Sequence, residues 1–256
     1  MGICVLPLLE RPDLEAELWS DELMGMWPEF MRHDPVAMLY YGPGHFERFR
    51  EFAFVVFDDG RPERLLGRAH SVPFVFGDEL PNRTRLPDNG WDGVIRWAHD
   101  DALHGRPPNA VSALEILLHR EITGRGLSSV VLDVMRTNAA RHGFSDLYAP
   151  VRPTSKHLEP MTPMAEYAYR TRDDGLPTDP WLRVHVRAGG QIVQVAPFSM
   201  VIPGTLTDWR AWTGVPFDAD GPTIVPGALS PVHTSLAEGH AVYVEPNVWV
   251  RHPTSP

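Results

Sequence analysis

The chain has 256 residues, 43% of them hydrophobic, which is enough to bury a core and excludes wholesale disorder. Its 33 acidic against 23 basic residues leave a formal charge of −10, which disfavours nucleic acid as a partner because phosphate neutralisation needs a basic face. The single cysteine, Cys4, cannot close an internal disulfide, no Cys/His spacing suits zinc, and no leader or membrane-spanning run is evident, so a cytoplasmic protein with no metal site is expected.

The 26 prolines predict short elements. Leu14, Leu18, Leu23, Met26, Phe30 and Met31 recur at helical spacing and predict two short helices over 13–32, bent or divided near Pro28. Residues 51–58 (EFAFVVFD) and 65–75 (LLGRAHSVPFV), joined through Asp59-Gly60-Arg61-Pro62, predict an antiparallel hairpin with Pro73 at an edge or bulge. Trp91, Val94, Ile95, Ala98 and Ala102 predict a helix over 89–103 with Asp88 as its N-cap.

The most regular stretch follows. Residues 111–119 (VSALEILLH) read as a buried strand, Gly124-Arg125-Gly126 as a turn, and Leu127, Val131, Val134, Met135 and Asn138 as one stripe of a helix that ends at Gly143. Residues 147–151 give the next strand, completing a βαβ-like unit. Beyond Pro153 the expected elements are short helices over 181–187 and 206–212, an extended run over 192–200, and a closing strand over 241–250 with a bulge at Pro246.

A strand that passes through Gly-x-Gly into a helix N-terminus suits an anion, because first-turn N–H groups have no helical acceptor and the helix dipole is positive there. The turn is not a P-loop, since no Gly-Lys-Ser/Thr follows, and Ser129 stands where a dinucleotide fingerprint needs its third glycine. With the strands and helix around it, 111–152 resembles the core of the GNAT superfamily of N-acyltransferases. The motif of that family is Q/R-x-x-G-x-G/A. Here it is Glu121-Ile122-Thr123-Gly124-Arg125-Gly126, so both small positions match and Glu121 replaces the usual Gln or Arg.

The resemblance implies an α/β fold with a mixed, mainly antiparallel twisted sheet, flanked by helices and splayed into a V at the cofactor site. It implies one domain over 1–256, with a helical insertion at 80–108 and an elaborated 153–256 part that completes the sheet and the acceptor side. It implies acetyl-CoA or another acyl-CoA as cofactor, held by Leu117, Leu118, Ile122, Thr123, Gly124, Arg125, Gly126, Leu127 and Ser128, and acyl transfer to the amine of a small molecule by direct attack. A catalytically inactive CoA-ligand sensor, or an acyltransferase that uses aminoacyl-tRNA, are the alternatives.

Glu115 and His119, four apart on one strand face, are the candidate bases, against structural pairing for each. Tyr167 and Tyr169 are the candidate acids for the leaving thiolate. Arg152, Lys156, His185, Tyr243 and Glu245 are placed on the acceptor side, with an exposed sheet face as the alternative for Tyr243 and Glu245. A homodimer stays open.

Overall fold

The computed structural model describes residues 2–77 and 80–254. The chain begins with β1 (Ile3–Pro7), α1 (Asp21–Met24), α2 (Pro35–Tyr40) and α3 (Pro43–Arg48). It continues through β2 (Ala53–Asp58), β3 (Arg61–Phe74), α4 (Gly90–Leu103), β4 (Ala110–Leu118), α5 (Leu127–Arg141) and β5 (Asp146–Val151). The second half holds α6 (Met164–Tyr167), α7 (Pro180–Arg187), β6 (Gln191–Thr205), α8 (Leu206–Thr213), β7 (Gly221–Thr223), β8 (Val232–Ser235) and β9 (His240–Pro253).

These strands join one nine-stranded sheet in the order β1-β2-β3-β4-β5-β9-β8-β7, with β6 on the other side of β9. Only β4 and β5 run parallel, as the right length of helix between them allows; every other pair is antiparallel. Period-two alternation sorts the side chains between two faces. Val248 and Val250 pack with Val131, Leu132 and Leu182 under α5 and α7. Trp249 and Tyr243 point the other way, among Val94 and Ile95 of α4 and Trp209 of α8.

The sheet splits at its parallel pair. β4 and β5 are in register only at Val111–Leu147 and Ser112–Tyr148, and beyond these residues the strands diverge. A bulge on β4 adds to the divergence: His70 pairs with Glu115 and Ser71 with Ala113, leaving Leu114 extra. The result is the expected V, with unpaired backbone edges facing each other across the gap.

Several local expectations change. The 13–32 segment forms mostly 3-10 turns (Pro12–Leu14, Ala16–Trp19, Glu29–His33) around the one-turn α1, because Pro12 and Pro28 interrupt runs already too short to nucleate a helix. Leu14, Leu18 and Leu23 are buried all the same, against Val55 and Leu117. Asp88 does not cap α4; Asn89 holds that position, and Asp88 pairs with Arg85. Pro73 lies past the last β2 partner of β3, His70, so its missing N–H is needed by no strand on that side. The irregularity near Pro246 lies on β6, where 197–199 bulge out between Ala196–Asn247 and Met200–Glu245. No helix among the described residues is long and apolar enough to cross a membrane.

Candidate active site

The glycine turn is built as an open cradle. Gly124 and Gly126 both adopt φ +75°, the left-handed region that glycine enters without strain. A Cβ at either position meets nothing within 4 Å, so the backbone is free for a ligand to approach. Gly126 is the N-cap of α5, and Leu127 and Ser128 form its first turn. The carboxylate of Glu121 is engaged elsewhere: Oε1 accepts from Arg64 Nη1 at 2.8 Å, and Oε2 lies 3.6 Å from His119 Nδ1. The charge that would oppose a pyrophosphate is thereby offset, while Arg120 and Arg125 beside it are exposed. The turn therefore fits the diphosphate of an acyl-CoA.

Of the other residues expected at the cofactor, Leu117, Leu118 and Ile122 face the core. Leu127 packs at the edge of the cluster under α5, and the Thr123 hydroxyl donates to the Arg120 carbonyl at 2.8 Å. On the two diverging strands, the residues that line the open space are Ala113, Leu114, Glu115 and Ile116 of β4 and Ala149, Pro150 and Val151 of β5.

That space is a cavity of about 570 Å³. Trp19, Trp27, Met31, Met38, Trp91 and Met200 give it an aromatic and thioether wall. Its charged groups are Glu29, Arg32, Arg68, Glu115, Arg152 and Glu245, with His33 and His185.

Glu115 sits on this wall with its carboxylate fully engaged. It accepts from Arg68 Nε at 2.7 Å, Arg68 Nη2 at 3.2 Å, Tyr41 OH at 2.6 Å and Trp27 Nε1 at 3.0 Å. Burial works against the charge of Arg68, and Glu115 more than offsets this, so the guanidinium pKa lies above its ordinary value. Burial and the same carboxylate push the Tyr41 phenol well up, which keeps it a donor. With four donors around it, the carboxylate has its four lone-pair sites occupied.

A second buried carboxylate, Glu245, lines the same cavity. Glu245 accepts from Arg152 Nε at 3.1 and 3.0 Å, from Tyr243 OH at 2.8 Å and from Asn247 Nδ2 at 3.2 Å. Arg152 also donates through Nη2 to the Gly227 carbonyl at 2.6 Å. Arg152 and Glu245 line the cavity, whereas Tyr243 lies behind them in the core; neither Tyr243 nor Glu245 belongs to an exposed sheet face.

Other candidates lie elsewhere. His119 is outside the cavity, with Nε2 2.9 Å from Glu22 Oε1. It shares a face with Glu115 and Leu117, but that face turns onto the N-terminal segment at this end of β4. Tyr167 is buried and donates to Asp179 Oδ2 at 2.9 Å, and Tyr169 is 53% exposed; neither reaches the cavity. Lys156 has no exposed surface: Nζ donates to the carbonyls of Glu159 at 2.7 Å and Leu229 at 2.6 Å. It ties two loops together instead of facing an acceptor. Arg68 was missed by sequence reasoning, although a charge inside an apolar strand, the signal that singled out Glu115, was present at Arg68 as well. Trp27 and Tyr41 carried no such signal.

No family model matches the chain. The arginine N-acetyltransferase avaD of Aspergillus versicolor is 32% identical to it over 269 residues, covering 95% of this chain and 91% of that protein. The loading GNATL domain of CurA from Lyngbya majuscula superposes with a TM-score of 0.53 at 17% identity, covering 99% of this chain and 98% of that one. The GphF GNAT-like decarboxylase in complex with isobutyryl-CoA also gives a TM-score of 0.53, at 14% identity, covering 99% of this chain and 100% of that one. At such identities the two structures speak for the fold, and the sequence relative speaks for the family.

Proposed function

Since the chain belongs to the GNAT superfamily of N-acetyltransferases, we propose that its acceptor is arginine or a small molecule that carries an arginine-like cation, bound in the cavity lined by Glu115 and Glu245. The reaction class is acetyl transfer from acetyl-CoA to an amine nitrogen. The bound thioester supplies an activated acyl carbon, and the remaining tasks fall to the protein.

Gly124, Arg125, Gly126 and the first turn of α5 bind the diphosphate through backbone N–H groups and the helix dipole. The diverging edges of β4 and β5 offer backbone hydrogen bonds to the acyl arm, and preorganised donors of that kind stabilise a developing oxyanion. The Trp and Met wall gives that arm an apolar surround. The acceptor is held mainly by shape: Glu29, Glu115 and Glu245 each pair with an arginine of the same lining, Arg32, Arg68 and Arg152, and Trp27 and Trp91 add aromatic surface that suits a planar guanidinium. Arg32, the most exposed of these arginines, suits the carboxylate of an amino acid.

The observation that carries this reading is the cavity at the sheet split, lined by two buried carboxylates, Glu115 and Glu245. It also weighs against the inactive sensor reading, which has no use for a walled acceptor space. The test is purified protein with acetyl-CoA and a panel of arginine, agmatine, lysine, ornithine and a simple arylalkylamine, followed by thiol release and product mass. Arginine or agmatine is expected to give the highest kcat/KM. Acetylation of the arylalkylamine alone overturns the acceptor, and CoA binding without turnover of any amine overturns the enzyme.

A further inference from the structure

Three histidines that do not line the cavity form a chain behind its wall. His45 lies on α3, His70 on β3 and His99 on α4. His45 Nδ1 is 2.8 Å from His99 Nε2, and His45 Nε2 is 3.0 Å from His70 Nδ1. The middle ring is thus bonded at both nitrogens, and the chain joins two helices to the sheet. His45 and His70 are buried and His99 is half-buried. His70 Nε2, at the inner end, has no partner.

The helix α3 depends on this chain. Its six residues are too few to hold a helix on their own, and Gly42 at the N-cap supplies no side-chain hydrogen bond. Among the described residues, no other side chain of α3 makes a hydrogen bond. Its further anchors are aromatic. Phe46 packs against His70 at 4.5 Å between ring centroids, and Phe49, just past the helix, packs against His45 at 5.1 Å and His99 at 5.2 Å. On the cavity side, the Tyr41 ring lies 5.1 Å from His45 and 6.1 Å from His70. Tyr41 is a wall residue and donates to Glu115, so the chain stands directly behind the wall.

A neutral imidazole donates at one nitrogen and accepts at the other, which is what each link requires. A proton added to His45 would let it donate both ways, but the cation would be buried among aromatic rings. Arg48 of α3 and Arg68 of β3 act on these rings, and both oppose a further positive charge. The backbone of Phe49 beside His70 and of Tyr40 beside His99 favours it. Glu115, opposite His70 on β4, is taken up by Arg68 and by the Tyr41 hydroxyl. Burial is the largest influence and lowers all three pKa values, that of His70 to about 3.

We propose that the His45–His70–His99 chain is an acid-sensitive latch: neutral, it clasps α3 and α4 to β3, and proton uptake by its rings releases α3, with the corner that carries Tyr41, from the sheet. Open rings bind protons that the closed chain excludes. Falling pH therefore favours opening below about 6.5, and the latch is at full strength above it. The latch works in the same way whichever amine the cavity takes.

The test is hydrogen exchange of the whole protein between pH 8 and pH 5, with each amide rate divided by its intrinsic rate at that pH. The reporters in and beside α3 are the amides of Phe46 and Phe49, bonded to the carbonyls of Gly42 and His45. Their opening is expected to grow by about tenfold per pH unit below 6.5 for each ring that protonates, while the amides of α5 stay protected. Opening of α3 that does not change with pH overturns the latch. Opening of α3 and α5 in step also overturns it, since that is global unfolding. Histidine nitrogen-15 spectra give a second reading on the wild-type protein. His45 and His70 are expected to stay neutral while α3 is closed, and either ring titrating near its ordinary value with α3 still closed overturns the latch. His45→Gln keeps a donor and an acceptor but takes up no proton. Opening of α3 in this variant is expected to respond to acid by about tenfold less per pH unit, and a wild-type response overturns the latch. If the variant fails to fold, the two wild-type measurements decide.

Discussion

Arg68 and Glu115 meet across β3 and β4 with Nε 2.7 Å from Oε2, and their side chains are 1% and 4% exposed. Removing one partner of such a pair leaves the other charge uncompensated, which typically costs about 3–5 kcal/mol. Glu115→Gln keeps the shape and part of the hydrogen bonding, so we expect a loss of about 3 kcal/mol in urea denaturation. We also expect kcat to fall more than CoA affinity does. A variant as stable as wild type would show that the guanidinium finds another partner.

Gly124→Asp should abolish acyl-CoA binding. The φ of +75° disfavours any side chain there, and the new carboxylate would stand in the open space that the backbone leaves for a phosphate. Calorimetry with CoA measures the loss, and unchanged far-UV circular dichroism confirms that α5 persists. An unchanged affinity would remove the turn from the cofactor site.

Lys156→Met separates structure from catalysis. The ammonium is buried against backbone carbonyls from Glu159 and Leu229, and burial lowers its pKa. The variant strands those carbonyls, at a cost of about 1–3 kcal/mol by thermal or urea unfolding. Its kcat should match that of wild type; a large fall in kcat with stability intact would return Lys156 to the acceptor side.

Asp92 makes stability depend on pH. Burial, then the nearby Asp34, pushes its carboxyl from 3.8 up to about 8, against the opposing pull of Arg96. A folded-state pKa above the unfolded one means that the native state binds more protons, so this residue's contribution is fully present below pH 4 and is lost as pH rises toward 8. Asp92→Asn removes the dependence. Urea unfolding should show the variant more stable than wild type by up to about 5 kcal/mol at pH 8 and little different near pH 4. A difference independent of pH would mean that the carboxyl is already ionised in the native state.

The sequence made the βαβ unit legible because its signals are local: an apolar strand, two glycines, a 3.6-residue stripe and a second strand. The hairpin before it, β2 and β3, was legible from the same kind of local pattern. The acceptor wall was not legible, since Trp27, Tyr41 and Met200 come together only through pairings between distant segments. Tyr167 and His185 illustrate the difference. Position after the strand favoured the tyrosine, but a two-residue tie, Tyr167 to Asp179, spends its hydroxyl on anchoring α7, the helix that carries His185. Nothing in the local pattern marks which of two nearby polar residues is consumed as scaffold.

The central position of β9 has a consequence for how the protein is made. This strand is flanked by β6 along one side and by β5 and β8 along the other, all of which are synthesised before it. Until β9 leaves the ribosome, β5 and β6 each present an open edge, and Val248, Trp249 and Val250 are absent from the two apolar layers they fill. A nascent chain stalled before residue 240 is thus a sheet with a missing slat, and unpaired edges of that kind recruit other chains. Expression yield should therefore respond to slowed translation upstream of β9 and to chaperones that shield strand edges, more than to the stability of the finished protein.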